Sequence, residues 1–323
     1  MYKRQADALI KSAEVGDLDR NLAAAGGNRV LEIDRDGECF YQFVPEVTLP
    51  VIRAAIPTAG DKFAMCARDV DLLLVTSAKV EEDVLLGALS PWPGETSILR
   101  GALGTITYEL GTFGRYRAAH ILTTQGDAGR EGVSSLVGTA ISELRPKAIL
   151  LLGIAFGVNR RKQRLGNVLV ANSVFPYAFE RVGSEKTIPR GTEMQCGRVL
   201  ADRFRRRRRD WRMTCGHKQV EVHQGQVLSG PKLIDNRAFR DELLEKYPYT
   251  VGGEMEGAGA YAVGDQAKVE AILVKGICDW ADGHKNDHAQ PFAAAAAVSL
   301  AIHVLSLPDV LKEIGARDYG PPT

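Results

Sequence analysis

GGEMEGAGAYAVGDQAKVEAILVKGICDWAD, residues 252–282, carries two glutamates one residue apart, an Ala/Gly-rich segment, and an apolar run that stops at an acid. Glu254 and Glu256 close an extended piece. Gly257 to Lys268 has amphipathic helical spacing, and Ala271 to Ile277 runs apolar up to Cys278-Asp279. The order is strand end, helix, buried strand, and an acid just past the strand's carboxyl end. Open α/β sheets hold ligands in the crevice outside those ends. Three carboxylates delivered there suit the hydroxyls of a sugar and a proton transfer. Glutamates at i and i+2 of an extended segment point to one side, so both are expected in one pocket.

The same texture extends outward from Asp71. Leu72 to Thr76 predicts a strand that turns through Ser77-Ala78 into a helix beginning Val80-Glu81-Glu82. Thr105–Leu110 and Tyr116–Thr123 predict alternating strands, and Gly132–Leu144 a helix behind the turn Gln125–Gly129. Ala148–Leu152 predicts a central buried strand opening into Gly153-Ile154-Ala155-Phe156-Gly157, where glycine permits close backbone approach. Leu165–Ala171 and Gln226–Gly230 predict further strands, and Pro291–Leu305 a closing amphipathic helix. The class is α/β, a mixed central sheet flanked by helices. Residues 1–68 read as a small α+β accessory or cap unit: a helix over Ala6–Ala13 and strands Val30–Ile33 and Cys39–Val44 around the turn Asp34–Gly37. The main domain is expected over 69–315, with an irregular charged insertion at 176–220 and a tail at 316–323.

The chain has 323 residues and a formal net charge of +1, so no global field points to nucleic acid or membrane. Its 5 cysteines are scattered, which fits a reducing cytoplasm better than a disulfide framework. The apolar runs fall short of the roughly 20 residues of a transmembrane helix. Arg203 to Arg209 holds six arginines in seven residues. A solvated face, a phosphate site and a nucleic-acid patch are the three readings of that run. The first is favoured over the last, which has no aromatic interleaving.

Glu254-Met255-Glu256-Gly257-Ala258, with Lys275-Gly276-Ile277-Cys278-Asp279 downstream, resembles the nucleoside phosphorylase and nucleosidase superfamily. The nearer branch is the hydrolytic one, typified by methylthioadenosine/S-adenosylhomocysteine nucleosidase, and the similarity runs from about Asp71 to about Leu305. The resemblance implies a nucleoside phosphorylase-like fold that cleaves an N-ribosidic bond through an oxocarbenium-like sugar. It implies Asp279 as the acid for the leaving purine, Glu82 as the residue polarising water (Glu81 being one residue of slippage away), and Glu254 as a further holder of that water. Met255 then packs on the sugar and Glu256 accepts from its hydroxyls. The resemblance also implies a small-residue loop over Gly153–Gly157 that sets Gly153, Ala155 and Phe156 against base and ribose, with Leu233 and Ile234 against the base. Two positions depart from the family: Asn167 replaces an Asp, and Cys278 replaces a Ser, a weaker hydrogen-bonding neighbour for Asp279.

Related phosphorylases carry a Gly-Asp-Pro-x-Arg-like phosphate loop where this chain has Ser77-Ala78-Lys79-Val80-Glu81-Glu82, and no arginine lies between Asp279 and Arg317. Hydrolysis is therefore expected. Arg160, Arg161 and Lys285 are the cations expected on a substrate's phosphates. The Lys-Gly-Ile-Cys-Asp…Lys-x-Asp pattern resembles nucleosidase domains used as effectors in bacterial conflict and antiphage systems. The expectation is hydrolysis of a purine nucleotide or nucleoside, adenine foremost. Housekeeping nucleoside or methylthioadenosine cleavage and a non-catalytic nucleotide sensor are the alternatives. No metal or cofactor is expected, and no membrane or nucleic-acid partner. A cytoplasmic homo-oligomer is, with a regulatory partner at the N-terminal unit.

Overall fold

The computed structural model describes residues 27–33, 39–45, 56–58, 60–126, 129–184, 187–215, 218–285 and 287–321. The helix expected over Ala6–Ala13 and the turn Asp34–Gly37 lie outside the described residues. The two expected N-terminal strands are present as β1 (Gly27–Ile33) and β2 (Cys39–Pro45), paired antiparallel with Ile33 opposite Cys39.

The main body is built on an 11-stranded sheet. In chain order its first half is β3 (Ile56–Pro57), α1 (Gly60–Ala67), β4 (Leu72–Thr76), α2 (Lys79–Ala88), β5 (Leu99–Leu103), β6 (Ile106–Phe113), β7 (Tyr116–Leu122), α3 (Val133–Leu144) and β8 (Ala148–Gly157). β9 (Val168–Pro176) follows, then the small hairpin β10 (Glu180–Val182) and β11 (Thr187–Pro189), β12 (Met194–Gln195), α4 (Arg198–Arg207), and a second hairpin of β13 (Thr214–Cys215) and β14 (Lys218–Gln219). β15 (Val222–Ser229), α5 (Arg237–Lys246), β16 (Thr250–Glu254), α6 (Gly257–Ala267), β17 (Glu270–Asp279) and α7 (Gln290–Leu305) complete it. α1 already belongs to this body, because Phe63 is fully buried against Gly101 of β5.

β4, β8 and β17 are nearly continuous apolar runs because both their faces are covered; all five residues of β4 are buried. β6 and β7 depart from the expected alternation for the same reason. Phe113, Tyr116 and Ala118 pack with Leu85 and Leu89 on one face, while Tyr108, Leu110 and Ala119 pack with Val133 and Val137 on the other.

Two further expectations are corrected. Gly153–Gly157 is the second half of β8, not a loop, and pairs with β17 up to Phe156 opposite Asp279. The 176–220 insertion is not irregular throughout. α4 runs through it, burying Leu200 and Phe204 completely, and Glu270 caps its first turn through the Val199 and Leu200 amides at 3.1 and 3.0 Å. The i, i+4 apolar pair among the arginines was the signal for that helix.

β8 pairs with β17, β17 with β9, β9 with β15, β15 with β16, and β16 returns to β8, so these five strands close a ring. α7 lies directly on β17, where a Cβ on Gly276 would strike the Ala293 backbone. Among the described residues, Asp287–Leu305 is the one helical stretch long and apolar enough to cross a membrane. Its apolar side chains, Phe292, Ala297, Leu300 and Val304 among them, are spent inside the core.

Candidate active site

The site begins as an interruption in hydrogen bonding. β17 runs along one edge of β8. On the other edge, β4 accompanies β8 as far as Val75 opposite Leu151, and β16 enters antiparallel with Gly253 opposite Phe156. Between Leu151 and Phe156 that edge has no strand beside it among the described residues. A buried amide left there must find another acceptor. Ile154 N–H donates instead to Glu81 Oε1 at 2.7 Å. Gly153 is required for this, since a Cβ there would overlap the Glu81 carboxylate.

Glu81 is the third residue of α2, and its Oε2 reaches back to the amides of Ser77 and Ala78 at 2.7 and 3.1 Å. That is the N3 half of a capping box. Its Oε1 also accepts from Lys275 Nζ at 3.1 Å, and Lys275 Nζ lies 3.5 Å from Glu256 Oε2. Burial alone would pull the Lys275 ammonium down; the charges of Glu81, Glu256 and Glu254 override it and hold the ammonium above its ordinary value. Glu256 Oε1 accepts from the Gly126 amide at 3.3 Å.

Glu254 and Glu256 do not present themselves as two residues of one extended segment. Glu256 has left the strand, with φ −118° and ψ −25°, and caps α6. Glu254 ends β16, and its carboxylate folds onto the α6 N-terminus, accepting from Glu256 N at 2.8 Å and from Gly257 N. Burial, reinforced by the Glu256 charge, keeps its carboxyl well above the usual carboxylate range.

Asp279 closes β17. Burial raises its carboxyl above the ordinary aspartate value, opposed by the Ala281 amide on Oδ1 at 3.0 Å and the Cys278 thiol on Oδ2 at 3.3 Å. Glu81, Glu254, Glu256 and Asp279 all line one cavity of about 100 Å³. Ala155, Phe156, Met255, Leu233 and Ile234 line it as expected, with Lys285. Ser77, Gln125, Lys232 and Gln290 line it too, and sequence reasoning missed them, as it missed Lys275. A lysine inside an otherwise apolar strand was the available signal.

Four expected residues do not line the cavity; one is Gly153, whose missing Cβ makes room for the Glu81 carboxylate. Glu82 points away from the cavity toward Lys79, 4.0 Å distant, because a one-residue step on a helix turns the side chain by about 100°; Glu81 takes its place. Arg160 does not line the cavity either. It is held by Asp282 at 2.8 Å and stacks on Trp280 at 5.3 Å. Arg161 is exposed beside it. The Arg203–Arg209 run is largely engaged locally: Arg203 pairs with Glu313 and Asp202, Arg205 and Arg206 share Asp202, and Arg208 donates to the Val222 carbonyl.

A family model described as Phosphorylase superfamily matches residues 95–307. Among curated proteins, a death domain-containing ATP nucleosidase of Amphimedon queenslandica is 28% identical over 262 residues, 74% of this chain and 49% of that protein. The ATP nucleosidase Cap17 of Escherichia coli is 26% identical over 199 residues, 55% of this chain and 39% of that protein. The chain therefore spans no more than about half the length of these relatives. Among solved structures, an S-adenosylhomocysteine nucleosidase from Streptococcus pyogenes bound to 5-methylthiotubericidin superposes with TM-score 0.61 at 16% identity, over 74% of this chain and 97% of that one.

Proposed function

We propose, since the chain belongs to the phosphorylase superfamily, that it is an N-glycosidase hydrolysing the N-ribosidic bond of a purine nucleotide, with adenine as the base. One observation carries this reading. A carboxyl that burial keeps inclined to hold its proton, Asp279, shares a cavity with Glu81, whose carboxylate is fixed by Lys275 and three backbone amides. Lys275 and Asp279 are four residues apart on β17, roughly 13 Å of extended backbone, which leaves room for base and ribose between them.

Asp279 protonates the departing purine, and positive charge gathers on the sugar. Glu256 accepts from a ribose hydroxyl, and Met255 covers the sugar face. Glu81 takes the proton of the attacking water. Glu254, through its bonds to the Glu256 and Gly257 amides, fixes Met255 and Glu256. A carboxylate where inorganic phosphate would have to enter repels it, which supports hydrolysis over phosphorolysis.

Triphosphate as the 5′ group is supported by Lys232 and Lys285 at the cavity and by the names of the two ATP nucleosidases. Such an enzyme depletes nucleotides, and the antiphage effector role implied by the sequence resemblance is proposed with it, in a cytoplasmic homo-oligomer. The test is chromatography of products from a panel of ATP, adenosine, methylthioadenosine and their guanine and pyrimidine counterparts, with and without phosphate. Adenine and ribose triphosphate formed without phosphate are expected. Ribose 1-phosphate formed only with phosphate overturns hydrolysis, and methylthioadenosine outcompeting ATP overturns the nucleotide.

A further inference from the structure

A line of polar groups, buried except for Arg100 at its outer end, lies behind the cavity wall, outside the groups assigned a chemical role. Arg100 Nε donates to Glu109 Oε1 at 2.9 Å, and Glu109 Oε2 faces His120 Nδ1 at 3.1 Å. His120 Nε2 lies 2.8 Å from Thr76 Oγ1. Thr123 Oγ1 donates to the Thr76 carbonyl at 3.3 Å and sits 2.8 Å from Ser77 Oγ. His120 is fully buried, and Thr76, Thr123 and Glu109 are 1, 4 and 6% exposed. Burial alone would raise the Glu109 carboxyl; His120 and Arg100 bring it below its ordinary value, so it is a charged acceptor. Both ring nitrogens of His120 are thus engaged, Nδ1 by the Glu109 carboxylate and Nε2 by the Thr76 hydroxyl. The second branch runs Ser77 to Thr123 to the Thr76 carbonyl. Both branches end on residues 76 and 77, where β4 stops and the amides that hold Glu81 begin.

We infer that His120, anchored by Glu109, is a positioning residue: through the Thr76 hydroxyl it fixes the Ser77–Ala78 turn and so the placement of the Glu81 carboxylate. It matters to catalysis only if the chain is the N-ribosidase proposed above. Buried polar lines of this kind are costly when half satisfied and specify one arrangement when complete. A displacement of about 1 Å at a reacting group can cost on the order of a hundred-fold in rate.

The decisive comparison is Thr76→Val against Thr76→Ser. If Thr76 serves only packing, Val keeps the shape and is tolerated, while Ser leaves a methyl-sized hole and is the worse change. Positioning reverses this order. Thr76→Val and His120→Asn are expected to lower kcat about ten-fold or more with KM within about three-fold, and Thr76→Ser to stay near wild type. Hydrogen exchange over residues 76–82 should quicken in Thr76→Val and not in Thr76→Ser, and this reads the turn whether or not any nucleoside is cleaved. Equal exchange in the two variants, or Ser falling below Val in kcat, overturns the inference. A wild type that releases no base from any substrate, with the exchange difference present, overturns the proposed function and leaves the positioning of the turn supported.

Discussion

Lys275 Nζ stands 3.1 Å from Glu81 Oε1, and neither side chain is more than 3% exposed. The two residues lie 194 positions apart in the chain. They join the helix that follows β4 to the last strand of the main body. A buried ammonium keeps its charge only in such company, and here the company is Glu81 and Glu256.

Lys275→Met should therefore destabilise the fold. Removing one partner of a buried pair leaves the other charge unpaired, which costs about 3–5 kcal/mol. Chemical denaturation should show this loss, with base release abolished even where the variant is fully folded.

Glu81 and Glu82 separate cleanly by substitution. Glu81→Gln loses the proton acceptor and is expected to cut kcat by roughly 10²–10⁴-fold. Glu82→Gln, whose carboxylate lies outside the cavity 4.0 Å from Lys79, should stay within about three-fold, as a change outside the chemistry. Steady-state release of adenine measures both.

Asp279→Asn should bind nucleotide with little change while losing roughly 10²–10⁴-fold in kcat. Calorimetric binding beside turnover distinguishes this from misfolding.

Cys278 allows the acid to be tuned. The Asp279 carboxyl is raised by burial, and the Cys278 thiol opposes that rise only weakly. Cys278→Ser supplies a stronger donor, stabilises the carboxylate, and should lower the Asp279 pKa. A general acid works only while protonated, so activity falls as pH rises through that pKa. The alkaline limb of kcat should move to lower pH in Cys278→Ser and to higher pH in Cys278→Ala.

Lys232 and Lys285 should discriminate between substrates. Neutralising both is expected to weaken use of ATP by about ten-fold or more, since charge-assisted contacts are worth roughly 1.5–3 kcal/mol each, with adenosine nearly unaffected. Arg160→Ala should reduce both alike, through stability, because it breaks the pair with Asp282. Parallel kcat/KM measurements on the two substrates give the contrast.

The strands that carry the site were legible because covered parallel strands leave uninterrupted apolar runs, as in Leu72–Thr76 and Ala271–Ile277. Glu254, Glu256 and Asp279, singled out from the sequence, share one cavity. The aim of the α2 glutamates was not legible. Glu82 and Glu81 differ by one step of helical phase, and that phase depends on where α2 starts. The resemblance implies a loop at Gly153–Gly157, yet its residues are small to admit Glu81 on one side and Trp280 on the other. Arg160 looked free because its partner lies 122 residues away. Tertiary pairing of that range leaves no local trace.

The missing strand beside Leu151–Phe156 sets how this site responds to change. A hollow between side chains widens or narrows with every core substitution. A gap in a ladder has its width set by the lengths of the two strands that stop short of each other. Extending β4 by two residues would zip the opening shut and dislodge Glu81, whose carboxylate occupies the edge at Ile154 and rests on the Ser77 and Ala78 amides. Trimming core side chains would soften the protein without widening the slot. Binding specificity and core composition are thus free to drift separately, and insertions or deletions near residue 77 should reshape substrate choice more than point changes in the interior.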